Sequence, residues 1–276
     1  MTKKLLITGA SGFLGWQVAR HAPPGWRMVG TWHANAGGLP PKFEATQIRL
    51  TDRDATWRVL KAVSPDAVFH LAAASNTAQC EAAPETTKPL NVDATAHLAE
   101  MCAERRCKLL FTSSSQVYDG EHPPFDEAPI PCPKNAYGQQ KLAAEQAVQG
   151  IDPAAAISNF LQQWLNAWQR GEAVTAFDDE IRSFLSGKSA AAGLWHLLEK
   201  GAEGIFNLGG ATSVSRYEFA VMASRAFGLP AAQIIKKSQK DVASAAFRPA
   251  NLTLDLSKIT ETGFIPVTLE KGLGEL

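Results

Sequence analysis

Apolar positions along the chain follow two alternating rhythms. Short uninterrupted runs recur in the first half: KLLIT at 4–8, DAVFHLAA at 66–73 and CKLLFTSSS at 107–115, with RMVGTW at 27–32 as a further candidate. Unbroken apolar runs of this length suit strands buried on both faces. Between them, 13–21, 54–62 and 91–104 carry helical spacing. Strands alternating with helices predict parallel βαβ units, and so an α/β chain with a Rossmann-type doubly wound sheet.

The second half is less regular. YDGEHPPFDEAPIPCPK, at 118–134, has five prolines and reads as a loop. AYGQQKLAAEQAV, at 136–148, reads as a helix. FLQQWLNAWQRG, at 160–171, reads as an amphipathic helix ended by Gly171, with Trp164 and Trp168 sharing a core-facing side. AAAGLWHLLEKG at 190–201 is a further helix with a glycine stop, and GIFNLGG at 204–210 a strand and turn. SRYEFAVMASRAFG at 215–228 opens with a capping box, Ser215 and Glu218, and stops at Gly228.

TGASGFLG follows the first strand and opens the first helix, with Gly9, Gly12 and Gly15 three apart. Glycines there let backbone approach a pyrophosphate closely, and a helix N-terminus supplies free N–H groups and a positive dipole end. Gly9, Ser11, Gly12, Phe13, Leu14 and Gly15 are therefore expected to hold a dinucleotide. An acid at the end of the second strand would bind a ribose 2′-hydroxyl and repel a 2′-phosphate. No Asp or Glu lies from Arg27 through Phe43. Thr31, His33 and Asn35 are placed to donate to a phosphate, which favours NADP(H) and leaves NAD(H) open; His33 reads equally as a solvated loop residue.

Charge narrows the partners. Among 276 residues, 27 Lys and Arg balance 27 Asp and Glu, so nothing points to nucleic acid or an anionic membrane. The apolar run near the N-terminus is too short for a secretory signal, and no stretch is long enough to span a bilayer. Cys80, Cys102, Cys107 and Cys132 form no CxxC, and the six histidines are scattered. The expectation is a cytoplasmic protein with reduced thiols and no metal.

NAYGQQK, at 135–141, sets a phenol and an ammonium four apart. On a helix, Tyr137 and Lys141 share a face. A nearby ammonium would lower the phenol's pKa toward values useful for proton transfer. TSSSQVY offers Ser113, Ser114 and Ser115 just beyond a strand, as donors to an alkoxide forming from a carbonyl.

Taken in order, these motifs resemble the extended short-chain dehydrogenase/reductase superfamily. Asp52 in LTDRD matches the acid such proteins place near the adenine. HLAA, with Leu71, Ala72 and Ala73, matches the strand end beneath the cofactor. Asn91 in LNVDAT matches the asparagine of the central helix, Thr112 begins the serine-bearing stretch, and YGQQK matches Y-x-x-x-K. The family pattern picks Ser114 as the catalytic serine, with Ser113 as the fallback, beside Tyr137 and Lys141.

SNTAQCEAAPE (75–85), GIFNLGGATSVSRYEFA (204–220) and FRPANLTLDLSKI (247–259) resemble the dTDP-4-dehydrorhamnose reductase branch. The resemblance is weakest over 151–189, where that branch's strand, arginine and aromatic–glycine–proline loop have no evident counterpart. It implies an NAD(P)-binding Rossmann domain over 1–150. It also implies a smaller substrate-binding subdomain over 151–276, with parts packing back on the sheet. The implied activity is NADPH-dependent reduction of a keto group on a nucleotide-linked 4-keto-6-deoxy sugar. Ser75, Asn76 and Arg248 are candidates for the sugar pocket, each equally readable as a structural hydrogen-bonding residue. Arg182 reads as an ion pair with Asp178, Asp179 or Glu180. Alternatives within the resemblance are a nucleotide-sugar epimerase and an NADP-binding regulatory subunit without turnover. A homodimer is implied by the family alone.

Overall fold

A computed structural model of the chain describes residues 2–40, 43–128, 130–151, 173–229, 233–243 and 246–275. The helix expected over 160–171, with Trp164 and Trp168, lies outside these residues.

Five strands, β1 (Lys3–Thr8), β2 (Trp26–Trp32), β3 (Ala45–Gln47), β4 (Ala67–His70) and β5 (Lys108–Phe111), form one sheet in the order β3-β2-β1-β4-β5, with every pairing parallel. Four of the five were legible as apolar runs. Leu5, Leu6, Ile7, Val68 and Phe69 are buried because helices cover both faces. On one face, α1 (Phe13–Arg20) and α7 (Gly187–Lys200) pack together, and Trp195 of α7 lies against Phe69 and Trp26. On the other, α2 (Arg53–Val63), α5 (Ala94–Glu104) and α6 (Ala136–Gln149) enclose a core of Leu60, Leu98, Leu109, Phe111 and Val148. A helix from the second half of the sequence therefore completes the first half's core. The short helices α3 (Thr77–Ala82) and α4 (Pro84–Lys88) connect β4 to α5.

The expected 91–104 helix is two pieces. Pro89–Asp93 forms a wider π turn that runs into α5 at Ala94. Such turns hold an extra residue and recur at functional sites; here the turn buries Asn91 completely. Two smaller sheets follow. β10 (Asn251–Leu252), β7 (Ile181–Ser183) and β8 (Ser213–Ser215) form one, and β6 (Val174–Phe177) pairs with β9 (Ile234–Lys237) in the other. α8 (Arg216–Ala226) opens on the expected capping box of Ser215 and Glu218. The expected strand over 204–210 is not one of the named strands; instead, the Asn207 amide donates to Phe125 O and its backbone N–H to Glu127 Oε1. The chain ends in the short helices α9 (Ser257–Glu261) and α10 (Leu269–Gly274).

Parallel strands align their carboxyl ends. Thr8 lies beside both Thr31 and His70, and His70 beside Phe111. The segments leaving these strands therefore meet along one edge, at the crevice where strand order reverses. Gly9 takes φ +70°, and a Cβ there would sit 2.9 Å from Ala72 N, so backbone meets backbone at the crevice.

Gly15 tests that contact. Alanine inside a helix normally stabilises by about 1 kcal/mol over glycine. At this position a Cβ would lie 2.5 Å from Gly9 O and 2.7 Å from Ala10 Cα, both backbone atoms that cannot swing away. Gly15→Ala is therefore expected to destabilise by about 1–3 kcal/mol in urea unfolding; a gain in stability would show that the loop yields.

Candidate active site

The carboxyl edge of the sheet opens into a cleft of about 860 Å³. Gly9, Ser11, Gly12, Phe13, Leu14 and Gly15 line one end. Leu71, Ala72, Ala73 and Ser75 line the floor, and Thr112, Gln116, Tyr137 and Lys141 the far wall. The N-terminus of α1 has no side-chain cap and no acid in its first turn, so its leading N–H groups are left for a ligand. Charged residues on the lining are Arg49, Lys141 and Arg216, with His33 beside them and no Asp or Glu. An uncapped helix end, glycine backbone and an acid-free cationic lining fit a dinucleotide with its phosphates.

Tyr137 and Lys141 lie on α6, begun by Asn135, whose side chain accepts from Gly138 N. Both are buried, and Lys141 Nζ donates 2.8 Å to Thr112 O and sits 4.4 Å from the Phe111 ring centroid. Burial drives the Lys141 ammonium down to about 7, against which Glu145 works upward. Burial also pushes the Tyr137 phenol up, opposed by the nearby Ser114 hydroxyl. The expectation that Lys141 lowers the Tyr137 pKa is therefore corrected: the phenol is raised, by burial first, and Lys141, with Nζ 6.0 Å from the phenol ring centroid, is not among the groups that shift it. Of the serines, Ser114 is the one that acts on the Tyr137 phenol, though it lines a neighbouring pocket rather than the cleft, and among the described residues the Ser113 hydroxyl is buried without a hydrogen-bond partner. Ser114 also accepts from Gln116 N, capping a 3₁₀ turn at Ser115–Val117.

Behind the cleft, neutral groups lock the backbone. Asn91 Oδ1 accepts from Ala74 N at 2.8 Å, and Nδ2 donates to Ala74 O at 3.1 Å and Gln140 Oε1 at 2.7 Å. One amide thus ties the segment after β4 to the helix bearing Tyr137. His70 is wholly buried and held neutral, its pKa lowered to about 3 by burial and then by Lys141. Its tautomer follows from its partners. The Thr95 hydroxyl donates to Asn91 O, so it accepts from His70 Nε2–H at 3.0 Å. Nδ1 then accepts from the Thr8 hydroxyl at 2.6 Å, which itself accepts from Leu71 N.

A family model described as RmlD substrate binding domain matches residues 3–276. The chain belongs to this family. Methionine adenosyltransferase 2 subunit beta from Pongo abelii is 31% identical over 95% of this chain and 83% of its own length. A probable low-salt glycan biosynthesis reductase from Haloferax volcanii is 28% identical over 98% of this chain and 96% of its own. In three dimensions, dTDP-4-dehydrorhamnose reductase from Bacillus anthracis, solved with NADP, aligns with a TM-score of 0.85 at 21% identity. That alignment covers 100% of this chain and 98% of that one. These likenesses place the chain in the extended short-chain dehydrogenase/reductase branch expected from its motifs, with the parallel sheet expected from its pattern.

Within this family member, some expected site residues fall outside the cleft. Asp52 caps α2, its carboxylate accepting from Ala55 N at 2.9 Å, and does not line the cleft; Arg49, three residues earlier, does. Asn76 caps α3 by accepting from Gln79 N, while Ser75 beside it faces the cleft. Arg248 lies over the Phe177 ring, 5.1 Å from its centroid. Arg182 pairs with Glu180 and donates to Pro249 O and Ala250 O, close to the reading of an ion pair with a neighbouring acid but partly buried. Sequence reasoning missed Arg49, Arg216, Gln140 and the locking role of His70. A charged residue after a three-residue strand leaves no periodic signal, and Arg216 reaches the cleft only through tertiary packing.

Among the described residues, no helix is long and apolar enough to cross a membrane, and no three His, Cys, Asp or Glu side chains cluster as metal ligands. Cys80, Cys102 and Cys107 are buried and Cys132 is exposed.

Asn91→Ala would strip the Ala74 N–H of its partner inside the protein and leave the Ala74 C=O with only the Cys80 thiol. The expected loss is about 1–3 kcal/mol in denaturant unfolding, with faster hydrogen exchange at the Ala74 amide. Unchanged exchange there would mean that the π turn does not hold the cleft floor.

Proposed function

We propose that this chain is an NADP(H)-dependent reductase of a carbonyl, with a nucleotide-linked keto sugar as its substrate class. The observation that carries the reading is that Tyr137 and Lys141, buried on one face of α6, line a cleft that also holds a glycine loop, an uncapped helix end and a basic lining. Bound there, the nicotinamide would supply hydride to the carbonyl carbon. Tyr137 enters as a neutral phenol, because burial favours that form, and so carries the proton a nascent alkoxide needs. Ser114 is the second donor at that oxygen. Lys141, anchored on Thr112 O, presents its remaining N–H groups to the cleft and contributes positive charge beside the phenol. Arg49 stands where the strand ends and would meet a 2′-phosphate; this residue, more than Asp52 or His33, supports NADP(H) over NAD(H). The nucleotide sugar comes from the name of the dTDP-4-dehydrorhamnose reductase neighbour and from Ser75 on the cleft floor.

One observation favours a second reading. A relative that aligns with 95% of this chain is named a subunit of another enzyme. A chain of this type could bind NADP(H) and turn nothing over. The Ser114, Tyr137 and Lys141 set favours the reductase.

Three measurements test the proposal. With NADPH and dTDP-4-dehydrorhamnose, Tyr137→Phe should lower kcat at least ~100-fold while leaving the NADPH Kd within a few-fold. Absence of turnover by the wild type with NADPH bound would favour the subunit reading. Arg49→Ala should raise the Kd of NADPH about tenfold, roughly 1.4 kcal/mol for one charge-assisted contact, and leave NADH unchanged. Equal effects on both would remove Arg49 from the 2′-phosphate. The kcat/KM profile reports free-enzyme groups. Lys141 is protonated below about 7 and loses its charge above, so kcat/KM should fall as pH rises through that value. A profile flat to pH 9 would exclude a role for that proton.

A further inference from the structure

Gln116 stands on the same wall of the cleft as Thr112, Tyr137 and Lys141, and the chemistry proposed above gives it no task. Its polar atoms can be followed one by one. The backbone N–H donates to Ser114 Oγ at 3.2 Å. The backbone carbonyl is packed on α6, where a Cβ added to Gly138 would strike it. The side-chain Oε1 accepts from Asn135 Nδ2 at 2.7 Å. Among the described residues, nothing accepts from Nε2.

Asn135 decides which end of this amide is left over. It is 1% exposed, and backbone groups fix both of its ends. Oδ1 accepts from Gly138 N at 2.8 Å, one of the free N–H groups in the first turn of α6. Nδ2 donates to Phe247 O at 3.0 Å, and a carbonyl only accepts. Turned over, Asn135 would set oxygen against carbonyl oxygen and nitrogen against N–H. With Asn135 fixed, the atom of Gln116 that meets Nδ2 must be an acceptor. That atom is Oε1, so Nε2 is the end that remains for the cleft. Orientation passes from backbone to Asn135 to Gln116, and no charge enters the sequence.

A half-buried donor without an acceptor is a cost that a ligand can relieve, and the atom it calls for is an oxygen. Phosphates have their own groups at the glycine end of the cleft. On the reductase reading, on which this inference rests, Tyr137 and Ser114 serve the reacting oxygen. We propose that Gln116 is a specificity-determining residue whose Nε2 donates to a second oxygen of the substrate, a hydroxyl or ether oxygen beside the reacting carbonyl. Asn135 is the positioning residue that keeps the donor end turned to the cleft. A neutral amide has no proton to give up, so it holds a hydroxyl without expelling it as water.

Gln116→Glu tests this with little change of shape. One carboxylate oxygen still accepts from Asn135, and the other puts an acceptor where Nε2 stood. With NADPH and dTDP-4-dehydrorhamnose, KM should rise at least about tenfold, with kcat and the NADPH Kd held within a few-fold. An unchanged KM overturns the proposal. So does a raised Kd for NADPH, which would give the donor to the cofactor, and so does a fall in kcat alone, which would put it on the reacting oxygen. Asn135→Asp keeps the cap on Gly138 N and withdraws the Nδ2 donor. Gln116 should then turn Oε1 outward, with a similar rise in KM. A loss of stability with KM unmoved would overturn the positioning role of Asn135. The wild type supplies a further readout that needs no variant. With NADP+ bound, the Gln116 side-chain amide protons, assigned through the backbone of the labelled chain, should shift in NMR when the reduced sugar nucleotide is added. Their failure to shift overturns the proposal even where a variant does not fold. A wild type that neither binds nor reduces the sugar nucleotide overturns the reductase reading and this proposal with it. A wild type that reduces it no better than Gln116→Glu overturns this proposal alone.

Discussion

The site is organised around burial of one ammonium. Lys141 is almost wholly out of water, and isolated charges are costly there. A lone lysine would be expelled or neutralised, so its surroundings are constrained. The Thr112 carbonyl must point inward from the end of β5, the Phe111 ring must lie beneath the nitrogen, and His70 must stay neutral. Each condition is met by backbone or packing rather than by a mobile surface group. That places the Lys141 nitrogen with little freedom, which a residue that orients a ligand requires.

Neutral hydrogen bonds extend the constraint outward. His70 links Thr8 of β1 to Thr95 of α5, and Thr95 returns to the Asn91 carbonyl. Asn91 then spans the floor segment and α6 through Ala74 and Gln140. The chain of contacts runs from the residue before the glycine loop to the helix carrying Tyr137. Its members carry no charge, so the link persists across the pH range in which Lys141 titrates.

Much of this architecture was legible in the sequence because its signals are local. Unbroken apolar runs read as β1, β2, β4 and β5, and the glycine spacing read as the turn at Gly9–Gly15. Tyr137 and Lys141 shared a face by helical arithmetic alone. What failed to read was set by tertiary context. Asp52 looks like a ligand residue in LTDRD, but a free N–H at Ala55 claims its carboxylate. The π turn at Pro89–Asp93 has no periodic signature, though it decides where Asn91 points. The direction of the Tyr137 shift also depended on burial, which spacing does not report: the helical neighbour was visible, the desolvation of the phenol was not.

The cleft divides into two regions with different physical demands. The glycine end needs only close backbone and free N–H groups, and tolerates exchange of side chains that keep those features. For the proposed reduction, the Tyr137 end needs a protonated phenol, a hydroxyl beside it and a charged lysine, all buried. A family built on this scaffold can therefore lose proton transfer by small changes near α6 while dinucleotide binding at α1 survives. That asymmetry offers a physical route by which sequences named as reductases and as a subunit of another enzyme share one fold. On this argument, the state of Tyr137, Lys141 and Ser114 separates the two roles more sharply than the glycine loop does, and in this chain all three are in place.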